Sequence, residues 1–145
     1  MSEKKIESIM RGFVEAYVSG DVEKTLSFLA EDAVWVAPEG TFKGKEEVRR
    51  LLNWHTQTKD KKIRDAGVGI IVKRNKAVWE YVTEGTIEGM RFEIPGVCVY
   101  EFSNDKIRQH RAFYDRLSIG KQVVKGWFAK RVMSSILSRA EKGLH

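Results

Sequence analysis

The hydrophobic period of this chain changes once, near Lys62, and that change constrains the fold more than any other feature. Before it, apolar residues recur at helical spacing, and after it they alternate with polar residues. A period of 3.6 is typical of a helix with one buried face, and a period of 2 is typical of a strand. The chain therefore predicts helices first and a sheet afterwards, which is an α+β order rather than a series of βαβ units.

The first part of the chain predicts three helices and one short strand. Residues 3–18 form an amphipathic pattern that ends at Ser19-Gly20. Asp21 is a natural N-cap for a second helix, because its carboxylate can accept the free N–H groups of a first turn. Residues 32–37 alternate as a strand before a turn at Pro38 and Gly40, and a third helix follows Gly44.

The second part predicts four antiparallel strands, over about 62–72, 77–88, 91–102 and 106–117. Turn residues separate them, and Ser103-Asn104-Asp105 makes a tight hairpin connection. No linker or repeat divides the chain, so we expect one curved antiparallel sheet with the three N-terminal helices on its concave side.

Composition narrows the class of protein. A chain of 145 residues with 42% hydrophobic residues can bury a core large enough to fold without disulfide bonds or a structural metal. Cys98 is the single cysteine, no Cys/His cluster has metal-ligand spacing, and no segment approaches the length of a membrane span. We therefore expect a cytoplasmic, soluble protein with no disulfide, metal or cofactor.

The basic charge lies mostly at the C-terminal end. The net charge is +6, and residues 119–145 carry six Lys or Arg residues against one Glu. A basic tail on a nearly neutral body, without a nucleic-acid-binding motif, argues against a nucleic acid partner. We place a domain at 1–118 and a basic amphipathic extension at 119–145.

The C-terminal extension has two apolar faces about half a turn apart. One face carries Val123, Val124, Trp127 and Phe128, and the other begins at Ala129 and continues to Leu144. One straight helix cannot bury both, so we expect a kink near 126–130, or a second half that contacts something else. A dimer partner, the cavity mouth and an anionic membrane surface are the alternatives, and dimer contacts or self-packing are favoured over the membrane.

Three segments resemble a known superfamily: 13–17 leading to Gly20-Asp21, 28–34, and Lys106-Ile107 through 113–115. They are similar to the NTF2-like superfamily and, within it, to the SnoaL-like group that includes limonene epoxide hydrolases and polyketide cyclases. The resemblance covers about the first 118 residues and implies a cone-shaped cavity and, commonly, a homodimer. The C-terminal helix is an addition to that fold. It says little about chemistry, because one fold serves many functions.

The catalytic sets of the family are mostly absent from this chain. The epoxide hydrolase positions fall on Trp35, Ala37, Val82, Glu84 and Ala112, of which Glu84 alone keeps a carboxylate. A lone carboxylate cannot both activate water and protonate an epoxide oxygen. The positions of the ketosteroid isomerases, which also share this fold, fall on Phe13, Ala37 and about Cys98, with no match. Neither mechanism is predicted.

A different site remains if Glu84 faces the cavity. Residues two apart on a strand share a face, so His110 and Tyr114 would face inward on the last strand. We then expect Glu84 to be a proton acceptor, with His110 and Tyr114 orienting the substrate. The predicted pocket residues are mainly apolar: Tyr17, Trp35, Trp54, Val82, Cys98, Arg108 and Ala112. His110 as a core residue, and Glu84 paired to Arg108 or His110, are the structural alternatives.

The sequence supports two functional hypotheses. The first is a SnoaL-like protein that binds a small, mainly apolar molecule, and that works without a cofactor as an isomerase, cyclase or hydrolase. The second is a non-catalytic dimerisation or assembly module whose cavity is filled by side chains. A filled cavity with Glu84 paired to Arg108 would favour the second hypothesis.

Overall fold

The computed structural model describes residues 1–144, with five helices and six strands in that range. The helices are α1 (Glu3–Ser19), α2 (Val22–Ser27), α3 (Gly44–His55), α4 (Arg116–Val123) and α5 (Trp127–Ala140). The strands are β1 (Leu29–Ala37), β2 (Gly40–Lys43), β3 (Lys59–Lys73), β4 (Lys76–Ile87), β5 (Met90–Ser103) and β6 (Lys106–Tyr114). The α+β order is confirmed.

Local signals fix the first two helices. The Ser2 side chain accepts a hydrogen bond from the Lys5 N–H at 3.2 Å, and Gly20 ends α1 in a left-handed conformation with φ of 78°. A residue with a side chain is strained at that φ, which explains the glycine. The Asp21 carboxylate accepts from the Lys24 N–H at 2.9 Å, so the predicted N-cap is confirmed.

The six strands form one sheet in the order β2-β1-β6-β5-β4-β3. The four predicted strands, β3 to β6, are antiparallel, and β1 joins β6 in parallel. The sequence did not predict β2, a four-residue strand that pairs with the end of β1. The last strand is shorter than predicted: it ends at Tyr114, and Leu117 lies in α4.

The core lies between the N-terminal helices and the concave face of the sheet. Ile6 and Met10 of α1 are fully buried, as is Val48 of α3. Tyr100 on β5 is 1% exposed and its ring packs edge-on against that of Phe13, with centroids 6.1 Å apart. The helices therefore cover one end of the concave face and leave the other end to α4.

The C-terminal segment bends at Gly126, the first residue of the interval given for a kink, which was one of the two alternatives. Gly126 has φ of 80° and separates α4 from α5. Helix α4 packs on β5, where the Gln122 side chain exchanges hydrogen bonds of 2.8 and 3.0 Å with the Glu93 backbone. The boundary that we placed after residue 118 falls inside α4. None of the residues described between 127 and 140 is buried.

Within residues 1–144, no helix is both long and apolar enough to cross a membrane.

Candidate functional site

A cavity of about 340 Å³ opens on the concave side of the sheet. Helices α1, α3 and α4 form part of its wall, and strands β1, β3, β4, β5 and β6 form the rest. Its walls are mainly apolar, with a few polar side chains among them, as is usual for small-molecule pockets. Side chains do not fill it, contrary to what the assembly hypothesis requires.

Seven of the predicted site residues line this cavity. Trp54 lies at the rim with 48% of its surface exposed, and the others are buried or half-buried. The seven are Tyr17, Trp35, Trp54, Cys98, His110, Ala112 and Tyr114. The structure thus brings together residues from α1, α3, β1, β5 and β6.

Glu84 does not face the cavity, and that prediction is wrong. On β4 the inward residues are Trp79, Tyr81 and Thr83, so Glu84 lies on the outer face. Its carboxylate lies 3.9 Å from Lys62 Nζ and 3.7 Å from an Arg91 nitrogen. Burial of the two aromatic rings outweighs burial of the alternating carboxylates, and this sets the register.

Val82 and Arg108 were also predicted to line the pocket, and both predictions are wrong. Val82 shares the outer face of β4 with Glu84. On β6 the pairing with β5 shifts between Gln109 and Ile107, which leaves Arg108 in a bulge. Arg108 is exposed and its Nε lies 3.7 Å from Asp32 Oδ2, so it cannot pair with Glu84.

His110 is the most enclosed polar residue of the cavity wall. Its ring stacks on Tyr100 with centroids 4.7 Å apart and lies 4.0 Å from the Trp35 ring. Neither ring nitrogen has a hydrogen-bond partner among the described residues. Burial, together with the nearby His55, lowers the pKa of His110 to about 3. The imidazole is therefore neutral at pH 7 and offers one N–H donor and one acceptor.

The carboxylate that does reach the cavity belongs to Glu39, in the turn between β1 and β2. Its Oε1 accepts a hydrogen bond from the Tyr114 hydroxyl and lies 3.8 Å from Arg116 Nε. Its Oε2 is buried and has no partner among the described residues. Sequence reasoning missed Glu39. Its position in a turn at the end of a strand is a weak signal, because loops often carry functional residues.

A second polar group lies on the wall made by α1, α3 and β3, and it joins the predicted Tyr17 to His55 and Lys61, which were missed. The Tyr17 hydroxyl is 3.3 Å from His55 Nδ1, and Lys61 Nζ is 4.1 Å from the Tyr17 ring centroid. Burial lowers the pKa of Lys61 to about 8. Burial and the Lys61 charge lower the pKa of His55 to about 4. His55 and Lys61 could not be assigned to the pocket from periodicity, because they flank the change from helix to strand.

One thiol and two phenol side chains lie together on the part of the wall made by β4 and β5. The Cys98 thiol donates to the Tyr81 hydroxyl at 3.6 Å, and Tyr100 adjoins it. Burial raises the pKa of Cys98 to about 12 and raises those of Tyr81 and Tyr100 as well. A thiol with a raised pKa is a poor nucleophile, so these groups serve as hydrogen-bond partners. In the sequence, the alternation of Ala77, Trp79 and Tyr81 could have predicted that Tyr81 faces the cavity.

Within residues 1–144, no three His, Cys, Asp or Glu side chains are grouped so that they could hold a metal ion.

Solved structures share this fold. A protein with a ketosteroid isomerase-like fold from Catenulispora acidiphila, in complex with trimethylamine, has a TM-score of 0.71 and 17% identity over 79% of this chain and 90% of its own. A proposed polyketide cyclase from Xanthomonas campestris has a TM-score of 0.72 and 23% identity over 83% and 98%. An NTF2-like protein from Burkholderia pseudomallei has a TM-score of 0.73 and 21% identity over 86% and 100%.

No curated protein matches this chain. The SnoaL-like domain family matches residues 10–110, which is more than half of the chain and includes the second half of α1, all of α3 and most of the cavity wall. The NTF2-like structures above share the curved sheet and its helices. The chain therefore belongs to the SnoaL-like family.

Proposed function

We propose that this protein binds a small, mainly apolar molecule in the concave cavity and acts on it, without a cofactor, by moving a proton. The reaction class is an isomerisation, cyclisation or hydrolysis. The cavity supports this proposal, because it is open, largely apolar and has polar groups at separate points of its wall. The similar Catenulispora acidiphila protein holds trimethylamine, which is a small molecule of largely apolar surface.

The observation that carries the proposal is the state of the Glu39 carboxylate. One oxygen is held by Tyr114, and the other is buried in the wall without a partner. A held carboxylate with one unpartnered oxygen has a fixed position and a free lone pair for a proton, as a general base requires. Because Oε2 is closed off from solvent, the bound molecule reaches it only by displacing a neighbouring side chain. Glu39 thus takes the role that the sequence assigned to Glu84.

The surrounding residues either position Glu39 or donate hydrogen bonds to the bound molecule. Tyr114 positions Glu39 through its hydroxyl, and Arg116 lies beside the same carboxylate. His110 is neutral and its N–H has no partner among the described residues, so it is free to donate to an oxygen of the bound molecule. Both ring nitrogens are buried, so this contact also requires the ligand to displace a neighbouring side chain. The buried Trp35 Nε1–H has no partner among the described residues either, and it gives a second donor on the same wall.

A homodimer is part of the proposal, because the outer face of the sheet and helix α5 leave large apolar side chains uncovered. Val78 on β4 is 37% exposed, Phe113 on β6 is 56% exposed, and Trp127 and Phe128 on α5 are each 72% exposed. Apolar patches of this kind are typical of contacts between proteins. Native mass spectrometry of the purified protein reports whether it is a dimer and whether it carries a bound compound.

The experiment that tests the proposed function compares two carboxylates on opposite faces of the sheet. We expect the wild-type protein to accelerate exchange of the C–H protons next to the carbonyl of 2-tetralone for deuterium, followed by NMR in D₂O. Glu39→Gln keeps the size of the side chain and removes the base, so we expect the protein-dependent rate to fall at least about 100-fold. Glu84→Gln is the matched control, and its rate should stay within about twofold of wild type.

Two results would contradict the proposal. One is a Glu39→Gln variant that exchanges protons at the wild-type rate while remaining folded. The other is a wild-type protein that leaves the rate of exchange unchanged although 2-tetralone binds in the cavity.

A further inference from the structure

Lys61 is a cation in the cavity wall that lies apart from the Glu39 end. It belongs to β3, at one edge of the sheet, whereas Glu39 follows β1 near the other edge. Strands β6, β5 and β4 lie between them in the sheet. The two charges therefore come from elements near opposite edges of the sheet.

The contacts of Lys61 Nζ are a backbone carbonyl and an aromatic ring. It donates to the His55 carbonyl oxygen at 3.2 Å and lies 4.1 Å from the Tyr17 ring centroid. In the described part of the chain, none of the ion pairs includes Lys61. Its neighbour Lys62 instead lies beside Glu84, and Arg116, the other cation of the wall, lies beside Glu39.

A half-buried ammonium without a counterion loses hydration that one carbonyl and one ring do not fully replace. The lowered pKa of Lys61 has burial as its cause, which agrees with this imbalance. An anionic group placed in the cavity beside Nζ would supply the missing charge. It would also gain a charge-assisted hydrogen bond in surroundings of low dielectric constant.

We propose that the ligand of this cavity carries an acidic group, such as a carboxylate or an equally anionic oxygen, and that Lys61 binds it. This inference rests on the proposed function, because it assumes that the cavity takes a small, mainly apolar molecule. It adds the chemical class of that molecule and its orientation. The acidic group lies at the β3 end, and the apolar body extends along Trp35 and His110 toward Glu39.

The arrangement also separates the acidic group from the proposed base. An acidic group next to Glu39 would meet a like charge, which is unfavourable in a mainly apolar cavity. Lys61 draws it toward β3 instead. The Tyr17 hydroxyl and its partner His55 Nδ1 then lie beside the acidic group as further polar contacts. Lys61 is therefore a specificity-determining residue, and it takes no part in the proton transfer.

The test compares two probes that differ in charge and little in shape, 1-naphthoate and 1-naphthamide, by isothermal titration calorimetry at pH 7. We expect the wild-type protein to bind the naphthoate at least about tenfold more tightly than the amide. In Lys61→Met this preference should disappear, because methionine keeps the apolar stem and removes the charge. In Lys61→Arg it should largely remain, because the charge is kept.

Lys62→Met is the matched control. Lys62 is the next residue on β3, its side chain is 76% exposed, and it lies on the outer face beside Glu84. Its loss should leave both affinities within about twofold of wild type. Circular dichroism of each variant checks that the fold is retained.

The possible failures are distinguishable. If the wild-type protein binds the amide as tightly as the naphthoate, or if Lys61→Met keeps the preference, the acidic-ligand inference is overturned and the apolar cavity remains. If neither probe binds at millimolar concentration, both the inference and the proposed function are contradicted.

Discussion

Each face of the sheet has a largely buried glutamate, and the two glutamates have different neighbours. On the outer face the Glu84 side chain is 20% exposed and lies between Lys62 and Arg91. On the cavity side the Glu39 side chain is 12% exposed, with one oxygen held by Tyr114 and the other without a partner. The two side chains are similarly buried, so burial alone does not single out a functional acid. The neighbouring groups do.

The same contrast should appear in stability, where we expect the largest effect of this kind at Tyr100. Tyr100 is 1% exposed on the cavity face, and Val78 is 37% exposed on the outer face. Tyr100→Ala should lower the free energy of unfolding by about 3–5 kcal/mol, as for other buried aromatic residues, and Val78→Ala by about 1 kcal/mol or less. Urea unfolding followed by tryptophan fluorescence measures both changes.

Equal losses of unfolding free energy for Tyr100→Ala and Val78→Ala would contradict the expected difference between the two faces. They would mean either that Val78 is covered as completely as Tyr100, for example in a dimer, or that Tyr100 packs loosely. Repeating the measurement over a range of protein concentrations separates these explanations, because dimer stability depends on concentration.

The pH dependence of the free energy of unfolding is a smaller effect, and it tests whether His110 is buried in its neutral form. Its pKa is lowered from the ordinary value of 6.5 to about 3 in the folded protein. Between these values the unfolded chain takes up a proton that the folded protein does not. The free energy of unfolding therefore falls as the pH falls through this window, by about 2 kcal/mol from pH 7 to pH 5 for His110 alone.

Replacement of His110 by Phe should remove this contribution while keeping a ring against Tyr100. His55, whose pKa is lowered to about 4, remains in the variant and contributes a similar slope. We thus expect the wild-type protein to lose about twice as much stability as His110→Phe between pH 7 and pH 5. Urea unfolding at both pH values tests this, and identical slopes would contradict a buried neutral His110.

Much of the fold could be predicted from the sequence because its signals are local. The change of period gave the order of helices and strands, and Asp21 gave a cap that the structure contains. The short β2 was missed because four residues are too few to show a period. The bend before α5 was one of two alternatives predicted from two apolar faces that one straight helix could not bury together.

The cavity was harder to predict because each error depended on tertiary structure. Val78, Glu80 and Val82 alternate with Trp79 and Tyr81, and assigning the inward face from Glu84 shifted β4 by one residue. The bulge at Arg108 has no counterpart in the hydrophobic pattern. Glu39 lies in a turn and Lys61 near the start of a strand, where periodicity says nothing about the direction of a side chain.

The central claim is that the concave cavity, and not the exposed apolar surface of α5, takes a small apolar molecule. The most direct test is a titration with 1-naphthamide followed by the indole N–H signals in a ¹H–¹⁵N NMR spectrum, assigned with Trp→Phe variants. Trp35 lines the cavity and its N–H has no partner among the described residues, whereas Trp127 lies on α5 and is 72% exposed. We predict that the Trp35 signal shifts most and that the Trp127 signal stays in place. A shift of Trp127 with an unchanged Trp35 would contradict the claim.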